Sequence, residues 1–366
     1  MTITLDDLRH YTVARNFPKP TSLNRALQQM SFVQADPIRA PAPAQDLILR
    51  HRVKNYRAGD IERRYTTLDV EEDVFVNYGF VSRDLQALMH PRLASRTNDT
   101  GTLWGAGKIK TAKLLLDFIS ERGPVHPRKV NTHFAHGRVT NHWGGSSNAT
   151  TRLLEAMHYG GLLRIVRREK GIRIYALRKH QAVPADTVQV RARIDALIDL
   201  TVRIYAPLPG PSLSYYLRRL RYAVPQWRHE LPGALQRAKQ RLSRARVGNV
   251  DWYWSADEDA LGHTAQDKVR FLAPFDPLVH DRARLELLWN WVYRFEAYTP
   301  PSKRKFGYYA MPLLWRNQVV GWTNLLVKDG ALKQELGYID SHSRRDRVFK
   351  AELESELERM RSFLRL

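Results

Sequence analysis

From residue 5 onward the apolar positions follow a helical period. Leu5, Leu8 and Val13 line one face of a first helix. Thr21 or Ser22 caps a second, Leu23 to Met30, with Leu23, Ala26, Leu27 and Met30 on one side. Phe32-Val33-Gln34-Ala35 then reads as extended, and Pro43 opens a helix that runs to Arg52. Residues 60–90 are mixed, and their acidic run of Asp69, Glu71, Glu72 and Asp73 is expected to be a solvated turn. Thr97 to Gly107, rich in Gly, Thr and Asn, reads as a linker.

A clearer unit follows. Leu114, Leu115, Phe118 and Ile119 mark a helix over 109–121, stopped by Gly123-Pro124. Pro127 to Phe134 gives a short second helix. Ser146 and Ser147 precede a third, carrying Leu153, Leu154, Met157 and His158 and ended by Gly160-Gly161. Leu163–Val166 and Ile172–Tyr175 flank Arg167-Arg168-Glu169-Lys170-Gly171, a β-hairpin with a basic tip. Three helices and then a hairpin is the winged-helix order. A second such order follows. Ile194, Leu197, Ile198 and Val202 form one stripe, Pro207 to Pro211 a break, and Leu213, Tyr216, Leu217 and Leu220 another stripe. Leu231 to Val247 is predicted as one helix with a basic face at Arg237, Arg241 and Arg244, and Val250–Trp254 as a strand.

From Val269 the texture turns to strands dense in aromatics. They are predicted over 269–275, 306–315, 319–327 and 331–339, with Lys328-Asp329-Gly330 as a hairpin turn. Strands so close together favour a small antiparallel barrel or curled sheet. In the tail from Ser341, Phe349, Leu353, Leu357 and Met360 give a charged amphipathic helix.

Composition adds a partner to this outline. Lys and Arg number 59 against 37 Asp and Glu, a net charge of +22 over 366 residues. Between Gly161 and Val250 there are 19 Lys and Arg against 5 Asp and Glu, so the excess is concentrated there. Such a balance points to a polyanion, and nucleic acid fits better than a membrane surface, for no basic amphipathic anchor stands out. Cysteine is absent, which excludes disulfides, Cys-ligated zinc and Cys-ligated iron–sulfur clusters. With no secretory pattern and no apolar run near twenty residues, a cytoplasmic, nucleoid-associated location is expected.

Candidate chemistry is sparse. There is no phosphate-binding Gly loop and no nucleophile elbow. His133, His136 and His142 lie near one another but lack an accompanying carboxylate, and no metal or other cofactor is expected. The one reactive-looking stretch is Ser31 to Ile38. It places Gln34 and Asp36 two residues apart, on one side of an extended segment, and Pro37 stiffens the backbone behind the carboxylate. Such a pair suits the positioning of a water. It is equally compatible with a strand end and a turn.

The run Phe32-Val33-Gln34-Ala35-Asp36-Pro37-Ile38-Arg39-Ala40-Pro41, continued through Ala44–Val53, closely resembles the YcaQ/AlkZ-like bacterial DNA glycosylases. Thr150–Glu155 with His158-Tyr159 and Gly161–Arg164, Pro274–Leu278, and Lys303–Pro312 agree with that family as well. The resemblance implies an α+β fold of three tandem winged-helix domains plus a small C-terminal antiparallel β-barrel, around a concave basic DNA-binding face. On this chain the winged helices map to residues 1–100, 108–182 and 187–256, the barrel to 266–340 and a C-terminal helix to 341–366. Gln34 and Asp36 place the chain in the Gln-Φ-Asp branch. That branch is associated with excision of N7-alkylated guanines and with unhooking of interstrand crosslinks. Two positions depart from the pattern: Ala35 is small, and His280 stands where Trp is expected.

The implied chemistry suits the residues. N7 alkylation makes guanine cationic, so the base leaves without a strong general acid. Asp36 activates the water and stabilises the oxocarbenium ion, while Gln34 holds the water. Nothing marks Lys54 as an activated amine, so a monofunctional, hydrolytic enzyme is expected. Candidate DNA contacts are Ser147, Asn148, Thr150 and Arg152 at a helix start, and Arg167, Arg168 and Lys170 at the hairpin tip. Arg237, Arg241 and Arg244 on the basic face, and Lys303 and Arg304 in the barrel, complete them. The partner is double-stranded DNA carrying alkylated or crosslinked guanine, engaged by a monomer. The alternatives are a non-catalytic winged-helix regulator, which would be a symmetric dimer, and a nucleic-acid adaptor, which would leave Gln34 and Asp36 idle.

Overall fold

Thr4 opens the first helix with a reciprocal cap. Its hydroxyl accepts the Asp7 N–H at 3.1 Å, and its own N–H reaches the Asp7 carboxylate at 2.9 Å. The computed structural model that shows this describes residues 2–90, 92, 106–134, 138–140, 146–179, 186–339 and 346–366, with the backbone alone at 106–109, 138–140 and 146–148. The expected linker and the first residues of the tail lie largely outside this set. The chain folds as two units. One comprises Met1–Asp60, Ile198–Arg218 and Gly233–Leu366, and the other Ile61–Leu197 and Arg219–Pro232.

In the first unit, the helices Leu5–Asn16 and Leu23–Met30 form where the periodicity places them, and Ser22 caps the second. The short strand Phe32–Gln34 follows, and then the helix Ala44–Leu49, all six residues of which are buried. The four strands Val269–Phe271, Met311–Trp315, Gln318–Lys328 and Ala331–Tyr338 pair antiparallel in that order. Asp329 and Gly330, both at positive φ, make the expected turn. The outer strands do not pair with each other among the described residues, so the expected barrel is an open sheet.

The shorter strands have a physical cause. After Phe271 the chain is drawn into a turn around Asp276, whose carboxylate takes the Arg52 guanidinium at 2.8 and 3.1 Å. Before Met311, the Glu296 carboxylate accepts the N–H groups of Lys305 and Phe306, holding the stretch as a loop. The helix Arg347–Leu364, capped by Asp346, packs Phe349 against Trp315 and Tyr338.

The predicted helix over 231–247 ends early. The helix runs Leu231–Arg241, and Ser243–Val247 is a strand that pairs with Val250–Trp254 across Gly248 at φ +58°. Arg237 and Arg241 therefore sit on a helix and Arg244 on a strand, so the three make no single helical face.

The second unit holds the helices Ala106–Arg122, Pro127–Phe134 and Ala149–Tyr159, and then the hairpin Leu163–Glu169 with Ile172–Leu177. Its turn is tighter than expected, only Lys170-Gly171, both at positive φ. Val125 bridges to Tyr175 and ties the helical layer to the hairpin.

The acidic run departs most from expectation. Glu71, Glu72 and Asp73 lie in the strand Val70–Val74, paired with Tyr78–Ser82, and Glu72 and Asp73 are 0% exposed. Arg168 grips Glu72 at 2.7 and 2.6 Å, and Tyr78 donates to it as well. Asp73 takes Arg92 at 2.6 Å and His90 at 2.7 Å, and Arg164 and Arg178 each reach Glu71 at 2.9 Å. Burial pushes both groups upward, but the cations hold Glu72 low and Asp73 well below the usual carboxylate range. What read as a solvated turn is the charged centre of this unit.

Candidate active site

Gln34 ends the strand Phe32–Gln34 and is 5% exposed. Its Oε1 is buried with no hydrogen-bond partner among the described residues. A buried amide oxygen left so is costly unless a donor comes to it, and a water is the simplest donor. Asp36, two residues on, is partly exposed. Its Oδ1 accepts the Ile38 N–H at 2.9 Å, a local turn across Pro37, and its own N–H donates to Gln45 Oε1 at 3.3 Å. Gln45 belongs to the buried helix Ala44–Leu49, so the loop carrying Asp36 is pinned from inside.

No cation pairs with Asp36 among the described residues. Burial raises its pKa above the ordinary value of 3.8, against the lowering effect of the Ile38 N–H. A carboxylate so raised is a stronger base than an ordinary one.

Tyr298 and Tyr309 share this electrostatic neighbourhood. Burial raises both phenols, and the Asp36 charge is the next cause in each case. Tyr309 is buried, and its hydroxyl has no partner among the described residues. Its ring meets Phe295 edge-on at 5.5 Å, and its N–H donates to Asn324 Oδ1 at 3.3 Å. Asn324 in turn lies against Gly307 at φ +110°, where a Cβ would come within 2.3 Å of the amide. Gly307 thus permits the close approach that seats Tyr309. Reasoning from spacing alone missed Gln45, Tyr298 and Tyr309. The run Lys303–Pro312 carried the signal for Tyr309, and the run Ala44–Val53 that for Gln45.

The candidate DNA contacts are scattered in character. Arg168 is spent on buried Glu72. Thr150 is 0% exposed, its hydroxyl 3.5 Å from Asn131 Oδ1. Arg152 and Arg237 are partly buried. The side chains of Ser147 and Asn148 lie outside the described residues. Arg167 pairs with Glu169 at the surface, Arg241 with Asp199, and Arg244 lies 3.7 Å from Asp251. Lys170 is exposed at its turn, and Lys303 is exposed beside Arg304, which donates to the Thr299 carbonyl and stacks on Tyr308.

His280, at the position that departs from the family pattern, meets the Tyr216 hydroxyl at 2.9 Å and stacks near Tyr205, a packing role. His133 is exposed and stacks on Phe118, while His136 and His142 lie outside the described residues. No helix among the described residues is long and apolar enough to cross a membrane.

A family model described as DNA glycosylase AlkZ-like matches residues 27–363. Among solved structures, the Streptomyces sahachiroi DNA glycosylase AlkZ matches at a TM-score of 0.59 and 12% identity, covering 99% of this chain and 97% of that one. At that identity the structural likeness is one of fold.

Proposed function

The chain belongs to the AlkZ-like DNA glycosylase family and is a DNA glycosylase, and from that premise we propose that it hydrolyses the N-glycosidic bond of N7-alkylated guanines, interstrand crosslinks included. Water adds to C1′ as the C1′–N9 bond breaks. The cationic base departs neutral, taking the bond's electron pair, and the water's proton passes to Asp36. An abasic site remains. Asp36 Oδ1 is committed to the Ile38 N–H, so Oδ2 is the oxygen that faces the water. The same charge stabilises the oxocarbenium ion as it develops. Gln34 Oε1 accepts a hydrogen bond from the water and aims its lone pair.

The observation that carries this reading is the orphaned Gln34 Oε1 two residues from a carboxylate without a cation. A winged-helix reading of the 106–177 helices and hairpin supplies the grip on DNA. Asp36 is partly exposed rather than sealed, which favours a site that accepts a base still tethered to the opposite strand, without full flipping into a closed pocket. The enzyme acts as a monomer on the nucleoid and is monofunctional, with water rather than a lysine amine as the nucleophile.

The test is base release from duplexes carrying N7-methylguanine, a bulky N7 adduct or a nitrogen-mustard crosslink, with Asp36→Asn alongside. Release by the native chain, lost in Asp36→Asn while DNA binding persists, supports the assignment. Undiminished release in that variant removes Asp36 as the base, and release of the monoadduct without the crosslink confines the substrate to single-strand lesions.

A further inference from the structure

A cavity of about 1100 Å³ lies in the first unit, between the 17–20 and 50–57 segments, the 266–270 segment and the last turns of the C-terminal helix. None of Gln34, Asp36, Gln45 or Tyr309 lines it. Its wall carries Lys19, Lys54, Arg57, Lys268 and Arg270. The acids on the same wall already have partners. Glu356 is buried between Arg50, Arg359 and the Phe271 N–H, and Glu358 pairs with Arg361. Lys19, Lys54 and Lys268 make no ion pair among the described residues.

Arg270 marks what the cavity lacks. It is 5% exposed, yet Nη1 has no hydrogen-bond partner among the described residues. Its other contacts are a 3.2 Å bond to Gln266 and the Phe17 ring, 4.7 Å from the guanidinium. Arg52 stacks on the same ring at 4.8 Å, but Arg52 has the bidentate carboxylate of Asp276. Arg270 has no such partner among the described residues. Burial lowers its pKa to about 10, with Arg52 and Arg359 adding to the effect against Glu356, and burial likewise lowers Lys268. A buried guanidinium whose Nη1 has no partner among the described residues, on a wall shared with ammonium groups, is suited to donate to an oxyanion.

We propose that this cavity is a phosphate-binding site, with Arg270 as the buried anchor and Lys268 and Lys54 as the outer cations. The phosphate group is either one from the DNA backbone or one on a free phosphorylated small molecule.

The probe is inorganic pyrophosphate, titrated calorimetrically into the full chain, with thermal unfolding in parallel. One saturable site and a raised Tm are expected. Arg270→Gln is expected to weaken that binding at least about tenfold, one charge-assisted contact being worth a factor of that order. Lys268→Gln, at a partly exposed position, gives a smaller loss and keeps the question answerable should Arg270→Gln fold poorly. Lys333→Gln, an exposed cation of the sheet far along the chain, and Asp36→Asn should bind pyrophosphate as the native chain does. Binding unchanged in both the Arg270 and Lys268 variants, or lost equally in Lys333→Gln, overturns the site in favour of general attraction by the net charge. Competition with an undamaged duplex separates the sources. Displacement of DNA by pyrophosphate, and weaker DNA binding by Arg270→Gln, identify a backbone phosphate. Unaltered DNA affinity identifies a free ligand.

Discussion

Asp73 and Asp36 both lie on or just past short strands, and what separates them is the presence of a cation. Asp73 is wholly buried between Arg92 and His90, and its carboxyl is held well below the usual range. Asp36 is only partly buried, has a backbone N–H for a partner, and is raised. Burial opposes ionisation at both places. Where the chain brings guanidinium groups to meet it, the carboxylate becomes a structural post. Where it brings none, the same group is left as a base. The ion pairs around Glu71, Glu72 and Asp73 therefore argue structure, while Asp36, with no ion pair among the described residues, keeps the charge that its proposed role as base requires.

The largest effect is expected at Asp36, the proposed base. Asp36→Asn should reduce base release at least about a thousandfold, within the range a positioned general base supplies. Because the ionised form is disfavoured there by burial, Tm should be unchanged or slightly higher, as read by calorimetry. A large loss of stability would show that Asp36 is a structural post after all.

Asp73→Asn should do the reverse. It strands Arg92 without its counter-charge at 0% exposure, and the expected cost is about 3–5 kcal/mol in denaturant unfolding. Base release per folded molecule should survive.

Acid sharpens the same contrast. Burial lowers His90 and His158 to about 4 from the ordinary 6.5, against the raising influence of Asp73. The unfolded chain then binds more protons than the folded one between those values, so stability is full above pH 6.5 and falls as the pH drops toward 4. Each histidine contributes on the order of 3 kcal/mol. Asp73 adds loss in the same direction at still lower pH, since its folded value lies below its unfolded one. The base-release rate should fall with acid for a separate reason, protonation of Asp36, at a pH above 3.8. Measured Tm and rate profiles that coincide in Asp36→Glu and in the native chain would merge the two effects and remove the distinction.

Smaller changes follow at the margins. Tyr309→Phe removes a buried hydroxyl that bonds nothing among the described residues, so stability should change by less than about 1 kcal/mol. A fall in rate of several-fold would show that the hydroxyl reaches the water or Asp36 during reaction. Lys170→Gln at the hairpin turn should reduce the salt dependence of DNA binding by about one unit of slope if that turn touches a phosphate, and leave the slope unaltered if it does not.

Much of the local structure was legible along the chain. Helices at Leu5–Asn16, Leu23–Met30, Pro127–Phe134 and Ala149–Tyr159 follow from periodicity and caps, and the Asp329-Gly330 turn from residues that accept positive φ. The pair Gln34 and Asp36 could be picked out too, because amide, carboxylate and proline at that spacing are a local fact. By itself the sequence thus determined most of the helices and nominated the pair proposed as reactive. Which carboxylates are neutralised was decided by tertiary structure. Arg168 reaches Glu72 from 96 residues away, Gln45 steadies Asp36 from the next helix, and Tyr309 shares its field from the far end of the chain. The same applies to the helix that stops at Arg241, where pairing with Val250–Trp254 outweighs helical propensity. Charge and pairing act through space, and spacing along the chain records only what neighbours in sequence can do.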